Sequence, residues 1–184
     1  PAHLFGAQAK DEALRGQSSS GGVFTLLARE VIRQGGVGFG AAFDEALHVE
    51  HIGAFDESEL SGMRGSKYVQ SDAGVCFADV KADLRDGRRV LFCGTPCQVA
   101  GLRGFLGRDY ENLTTVDLVC HGVPSGRMFE DCVEDYGKQL GSPVVDFRFR
   151  CKREGWGHSL LLLLEDGREV TIPAAKSPYY DMFL

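Results

Sequence analysis

Apolar residues recur at helical spacing at Val23, Leu26, Leu27, Val31 and Ile32. This predicts an amphipathic helix that runs to about Gln34 and is stopped by Gly35-Gly36. A glycine-rich strand over residues 37–43 and an imperfectly alternating strand over 47–55 follow, with Asp44-Glu45 as a hairpin loop. Short helices are predicted over 57–63 and 75–84. Val90-Leu91-Phe92 is a compact apolar run and reads as a buried strand; Val99, Leu102, Phe105 and Leu106 then return to helical spacing. The alternation repeats with a core strand over 113–119 and a helix over 126–140. From Pro143 the pattern turns to β, with strands over 144–150, 158–165 and 168–172, the last two joined by Asp166-Gly167. Residues 1–17 show little periodicity and read as a leader or an incomplete first element. Residues 177–184 open an apolar helix, so a longer chain is expected. The order predicts an α/β fold: a mixed central β-sheet flanked by helices over residues 1–142, and a β-rich part over 143–184.

The two strand-to-helix turns carry the chemistry. In the first, Gly94 allows a sharp turn, Thr95 and Pro96 enter the helix, and Cys97 and Gln98 lie in its first turn. Ligands of open α/β sheets bind outside the carboxyl ends of the strands, and a helix N-terminus favours a thiolate. The second turn, Cys120-His121-Gly122-Val123-Pro124-Ser125, repeats the arrangement. If the two strands are neighbours, Cys97 and Cys120 meet at one edge, which suits an iron–sulfur cluster or zinc better than a disulfide. Cys93 is either a third ligand or core, and Cys76 and Cys132 read as packing residues inside helices.

Two further segments suit phosphate. Ser18, Ser19 and Ser20 are N-cap candidates, and Gly21 and Gly22 allow an anion close to the backbone. In Arg64-Gly65-Ser66-Lys67-Tyr68, the lysine and serine could hold a phosphate while Tyr68 stacks on a ring. His48 and His51 would point to opposite faces of a strand and read as solvent-facing or edge residues rather than a metal pair. Arg148, Arg150, Lys152 and Arg153 form a local basic cluster near Trp156, and the ordinary reading is an exposed strand face.

Composition narrows the classes. A chain of 184 residues, 43% hydrophobic and 25% charged, can bury a core. The net charge of −6 argues against a nucleic-acid partner. The longest apolar run, Leu160 to Leu164, is strand-sized, so no membrane span is expected. Six cysteines without a secretion signal point to a reducing, cytoplasmic setting with free or metal-bound thiols.

Taken in order, Ser-Ser-Gly-Gly at 19–22, Gly-Ser-Lys-Tyr at 65–68, Val-Leu-Phe-x-Gly-Thr-Pro-Cys-Gln at 90–98 and Val-Asp-Leu-Val-Cys-His-Gly-Val-Pro-Ser at 116–125 resemble the coenzyme F420 hydrogenase/dehydrogenase beta-subunit family. A looser Phe-Arg…Lys…Gly-Trp segment after Phe147 adds to the set. The resemblance implies an electron-transfer flavoprotein with FAD and [4Fe–4S] clusters. Such a protein passes electrons between a ferredoxin-like or hydrogenase/dehydrogenase partner and a second acceptor, a deazaflavin in archaeal members. It implies that Ser19, Ser20, Gly21, Gly22, Gly65, Ser66, Lys67, Tyr68, Gly94, Thr95, Pro96, Gln98 and His121 surround FAD, and that Cys97 and Cys120 are cluster ligands. The family's N-terminal C-x-x-C segment is missing from this sequence, and a cluster takes four thiolates, so the cluster is expected to be incomplete or absent here. Two alternatives stand beside this reading: a partner-binding module that kept the fold without the chemistry, and a zinc-bound domain using Cys93, Cys97, Cys120 and His121.

Overall fold

The computed structural model describes residues 3–153, 155 and 157–183; Trp156, placed by sequence beside the basic cluster, lies outside them. The first sheet has the order β2-β1-β3-β4, built from β1 (Val37–Phe43), β2 (Val49–Ala54), β3 (Val90–Gly94) and β4 (Leu113–Asp117). β1 and β2 form the expected antiparallel hairpin, while β1, β3 and β4 run parallel, so the sheet is mixed.

Alternation along the strands sorts side chains into two layers. Val37, Phe39, Val90 and Phe92 pack with α4 (Cys76–Arg85) and α5 (Pro96–Leu106) through Val80, Leu84, Leu102 and Leu106. Leu91 and Ala42 pack on the opposite face with α2 (Val23–Arg33) and α3 (Glu57–Gly62) through Ala28 and Leu60. This explains the glycines of β1. A Cβ on Gly38 would stand 3.3 Å from the Ala28 Cβ, and one on Gly40 would stand 3.2 Å from the Phe24 ring. Their lack of a side chain lets α2 lie close on the sheet.

The second sheet is the expected meander of β5 (Val144–Cys151), β6 (Ser159–Leu164) and β7 (Glu169–Ile172). It packs with α6 (Gly126–Leu140) and α7 (Pro178–Phe183) around Phe129, Phe147, Phe149, Leu160, Leu162 and Tyr179, all almost fully buried. Leu47 and Val49 of the first sheet's hairpin join the same cluster, so the two sheets share a core. Its hydroxyls are paired: Tyr136 with Ser177 at 3.0 Å, and Tyr180 donating to the Phe149 carbonyl at 3.0 Å.

Three sequence expectations change. The segment before residue 18 contains a helix, α1 (Glu12–Gln17), whose N-cap Asp11 accepts from the Ala13 and Leu14 amides. Ala9 and Leu14 are buried, which too short an apolar pattern concealed. No serine caps α2; Gly22 does, in the left-handed conformation at φ 77°. The Ser18 hydroxyl instead donates to the Leu14 carbonyl. Finally, His51 is buried rather than solvent-facing or at an edge. It stacks on Phe92 with ring centroids 5.3 Å apart, and its Nε2 meets the Cys93 carbonyl oxygen at 3.1 Å. His48 is exposed and bonds Asp44, as a residue on the opposite face should.

Candidate functional site

The expected site residues fall into two neighbouring groups. The first lines a cavity of about 750 Å³. One wall is the α1–α2 turn, including Ser19; another is the turn after α3, with Arg64, Gly65, Ser66 and Lys67; the third is β5. Thus residues 47 apart in sequence meet: the Ser66 amide donates to the Ser19 hydroxyl at 2.6 Å. Arg64 ties the same two turns, donating to Gln17 Oε1 at 2.8 Å and to the Glu57 carboxylate. Glu57 is also gripped by Arg29, and that hydrogen bond, ahead of the charges of Arg29 and Arg64, holds its carboxyl below the usual range.

The basic cluster at the end of β5 supplies the third wall: Arg148 and Arg153 are exposed, as expected of a strand face, whereas Arg150 and Lys152 are half-buried beside the cavity. Phe147 and Phe149 turn into the core, so Asp146, Arg148 and Arg150 alternate to the other face and border the cavity. Lys152 reaches the carbonyls of Arg15 and Ser20 at 2.7 and 3.3 Å, fastening the end of β5 to the α1–α2 turn. Two cationic side chains of this lining, Arg64 and Arg150, each carry a buried Nε without a hydrogen-bond partner among the described residues. Lys67 donates to the carbonyls of Gly62 at 2.8 Å and Arg64 at 3.2 Å. Burial draws its pKa from 10.5 down to about 7, against the opposing pull of the Asp146 carboxylate. Cys151 also lines this cavity and was not singled out from sequence; its place between Arg150 and Lys152 was the available signal.

Ser20, Gly21 and Gly22 stand beside the cavity rather than in its lining. The space next to the two glycines is taken by the chain itself. A Cβ on Gly21 would meet the Ala7 carbonyl oxygen at 3.1 Å, and one on Gly22 the Ser18 Oγ at 3.2 Å. The Ala9 amide donates to the Gly21 carbonyl at 2.7 Å.

The second group lies at the carboxyl edge of β3 and β4. These strands are adjacent and parallel, with Gly94 opposite Asp117 and the Leu118 amide donating to the Gly94 carbonyl at 3.0 Å. Cys97 and Cys120 each follow by three residues, both exposed and both unbridged. They therefore share one edge of the sheet. Thr95 and Gln98 form a capping box at the start of α5, with Pro96 in its first turn. The Cys97 Sγ lies 3.1 Å from the Thr95 Oγ1. By contrast, burial pushes the Cys93 thiol up to about 11 and the Cys76 thiol up to about 12. Among the described residues no three His, Cys, Asp or Glu side chains stand close enough to hold a metal ion. Among the described residues, Cys93, Cys97, Cys120 and His121 thus do not come together as one ligand set.

Residues 68–71 join the two groups. The Gln98 side-chain amide donates to the Ser71 Oγ at 2.8 Å, and the Gln70 amide to the Pro124 carbonyl at 2.9 Å. Tyr68 and His121 flank the Phe183 ring, with centroids 5.3 and 5.2 Å from it. Tyr68 thus packs into the protein's own aromatic cluster.

The site thus pairs two cysteine-bearing turns at the carboxyl edge of a mixed sheet, where open α/β sheets place their ligands, with a neighbouring cation-lined cavity. The chain belongs to the coenzyme F420 hydrogenase/dehydrogenase beta-subunit family: the family model for the C-terminal part of that beta subunit matches residues 87–181. That span holds the Gly94–Gln98 turn, Cys120, His121 and the basic wall of β5, and excludes the 19–22 and 65–68 segments. Among solved structures, the fold matches a chain of the F420-reducing [NiFe] hydrogenase complex from Methanosarcina barkeri at 19% identity and a TM-score of 0.60. The match covers 94% of this chain and 60% of that one. No curated protein matches the sequence.

Proposed function

We propose that this chain is the flavin-binding part of an electron-transfer protein, holding FAD with its diphosphate in the cavity between the 65–67 turn and β5. The single observation behind this reading is the cavity's charge. Among the described residues it gathers Arg64, Lys67, Arg148, Arg150, Lys152 and Arg153 around one carboxylate, Asp146, in a protein of net charge −6. The unpartnered Nε atoms of Arg64 and Arg150 are what a buried anion would satisfy, because an orphaned donor on a charged group is costly. A volume of about 750 Å³ lies within the range of small-molecule and cofactor sites.

In this reading Arg64, Lys67 and Arg150 neutralise the diphosphate, and the Ser19–Ser66 contact sets the spacing of the two turns that hold it. Bound FAD would supply reversible two-electron chemistry. The segment from Tyr68 to Ser71 would extend the site towards Gly94–Gln98 and His121, where the exposed edge offers room for an electron partner. Residues 1–142 and the β-rich part from 143 would thus both contribute to one site. The electron donor is proposed to be a ferredoxin-like or hydrogenase/dehydrogenase partner. The cluster is proposed to be completed outside this chain, with Cys97 and Cys120 as its nearest thiols.

Titration of FAD against the chain, followed by quenching of flavin fluorescence, tests the reading. Saturable one-to-one binding that weakens with added salt, and that the double substitution Arg64→Gln, Arg150→Gln weakens at least tenfold, is the expected result. Binding unchanged in the double variant would move the flavin elsewhere.

A further inference from the structure

The cavity's geometry points to a linked event: we infer that the chain takes up one proton when it binds its anionic ligand, and that Lys67 receives it. This deepens the FAD reading above and rests on it. The Lys67 nitrogen already holds two acceptors. It lies 2.8 Å from the Gly62 carbonyl oxygen and 3.2 Å from that of Arg64, where α3 ends. A neutral amine has two N–H groups and one lone pair. Those two carbonyls consume both N–H groups. The ammonium form adds a third donor, which neither carbonyl needs and which an anion in the cavity would accept.

The surroundings set which form is present. From the same turn, Arg64 borders the cavity, paired with Glu57; from β5 come Arg148, paired with Asp146, Arg150 and the Cys151 thiol, and just after β5 come Lys152 and Arg153, the latter paired with Glu169. The α1–α2 turn contributes the neutral groups Gln17, Ser18 and Ser19. Asp146 is the one carboxylate in the lining among the described residues. Without a ligand, a positive charge at Lys67 is desolvated, and this burial holds its pKa down to about 7 against the opposing pull of the Asp146 carboxylate. A diphosphate reverses the balance: it brings two negative charges and an acceptor for the third N–H. Lys67 therefore gains a proton on binding over the range between its ligand-free value and the ordinary lysine value. The free protein is a half-charged receiver near neutrality, so affinity is set by pH as well as by contacts.

The test is calorimetric titration of FAD into the chain near pH ~8, in buffers of different ionisation enthalpy. The FAD diphosphate diester does not titrate in this range, so any proton exchanged belongs to the protein. The expected result is an uptake approaching one proton per FAD. Above the ligand-free value of about 7, the dissociation constant should rise by up to tenfold per pH unit. Lys67→Arg, charged at every pH used, should bind FAD with no proton uptake and a flat pH profile. As a measurement independent of that variant's folding, the Lys67 ε-carbon resonance of the unsubstituted protein should titrate near neutrality alone and lose that titration with FAD. FAD binding without proton uptake overturns this inference while leaving the flavin site intact. Uptake that persists in Lys67→Arg also overturns it. Failure to bind FAD at all overturns the flavin reading and this inference with it.

Discussion

Ser19 and Ser66, 47 residues apart, meet at 2.6 Å with the Ser66 amide donating to the Ser19 hydroxyl. Neither residue lies in the span matched by the family model, yet their contact joins two of the segments that the sequence marked for phosphate. The bond fixes a turn rather than filling a core. Ser19→Ala should therefore lower FAD affinity about three- to tenfold, while costing the fold roughly 1 kcal/mol, the net worth of one hydrogen bond. Paired fluorescence and denaturant titrations check this. A large loss of stability with unchanged affinity would mean that the contact holds the fold rather than the ligand.

Arg150 tests whether the unpartnered charge is there for a ligand. Its buried Nε has no partner among the described residues, which is a stability cost in the ligand-free protein. Arg150→Leu should leave the ligand-free melting temperature unchanged or raise it, and should reduce FAD affinity at least tenfold. Thermal melts with and without FAD separate the two effects. A marked fall in the ligand-free melting temperature would show that Arg150 serves the fold.

The buried histidine gives the protein an acid limit. Desolvation lowers the His51 pKa below its usual value, with the Cys93 carbonyl opposing. The unfolded chain thus binds more protons than the folded one once pH drops below about 6.5. The His51 contribution to stability is complete above that pH and is lost as pH falls towards the lowered folded value. The denaturant midpoint should therefore decline as pH falls below about 6.5, and His51→Gln should flatten that part of the curve. An unchanged slope in the variant would assign the acid sensitivity to other groups.

Thiol reactivity should divide the cysteines by position. Cys97 and Cys120 are exposed at the β3–β4 edge, whereas burial pushes the thiols of Cys93 and Cys76 up to about 11 and about 12. Alkylation of the native protein at mildly alkaline pH, read by peptide mass, should label Cys97 and Cys120 well before Cys93 and Cys76. Early labelling of Cys93 would mean that β3 is accessible and that the edge is built differently.

What was readable in the sequence followed from local periodicity. The Val90–Phe92 run, Gly94 and Pro96 define strand, turn and helix within a few residues, and β4 repeats the signal before α6. The β5–β7 meander was equally plain, because the Leu160–Leu164 run and the Asp166-Gly167 turn are local features. What was hidden depended on partners far away. His51 looked polar, but its strand position placed it over Phe92, where the Cys93 carbonyl satisfies one nitrogen. The serines before α2 looked like caps, but the preceding helix claimed Ser18 and the 65–67 turn claimed Ser19. The basic residues at the end of β5 looked like a solvated face, and Arg148 and Arg153 are exposed; what was hidden is that Lys152 reaches the Arg15 carbonyl across 137 residues of sequence, a contact that no periodicity encodes.

The most direct test of the central claim is a crystal structure of the chain with FAD bound. The account predicts the diphosphate against Lys67 and Arg150, within hydrogen-bonding distance of the Arg64 and Arg150 Nε atoms that lack partners among the described residues. Electron density for the diphosphate at the Cys97–Cys120 edge instead, with the β5 cavity unchanged, would contradict it.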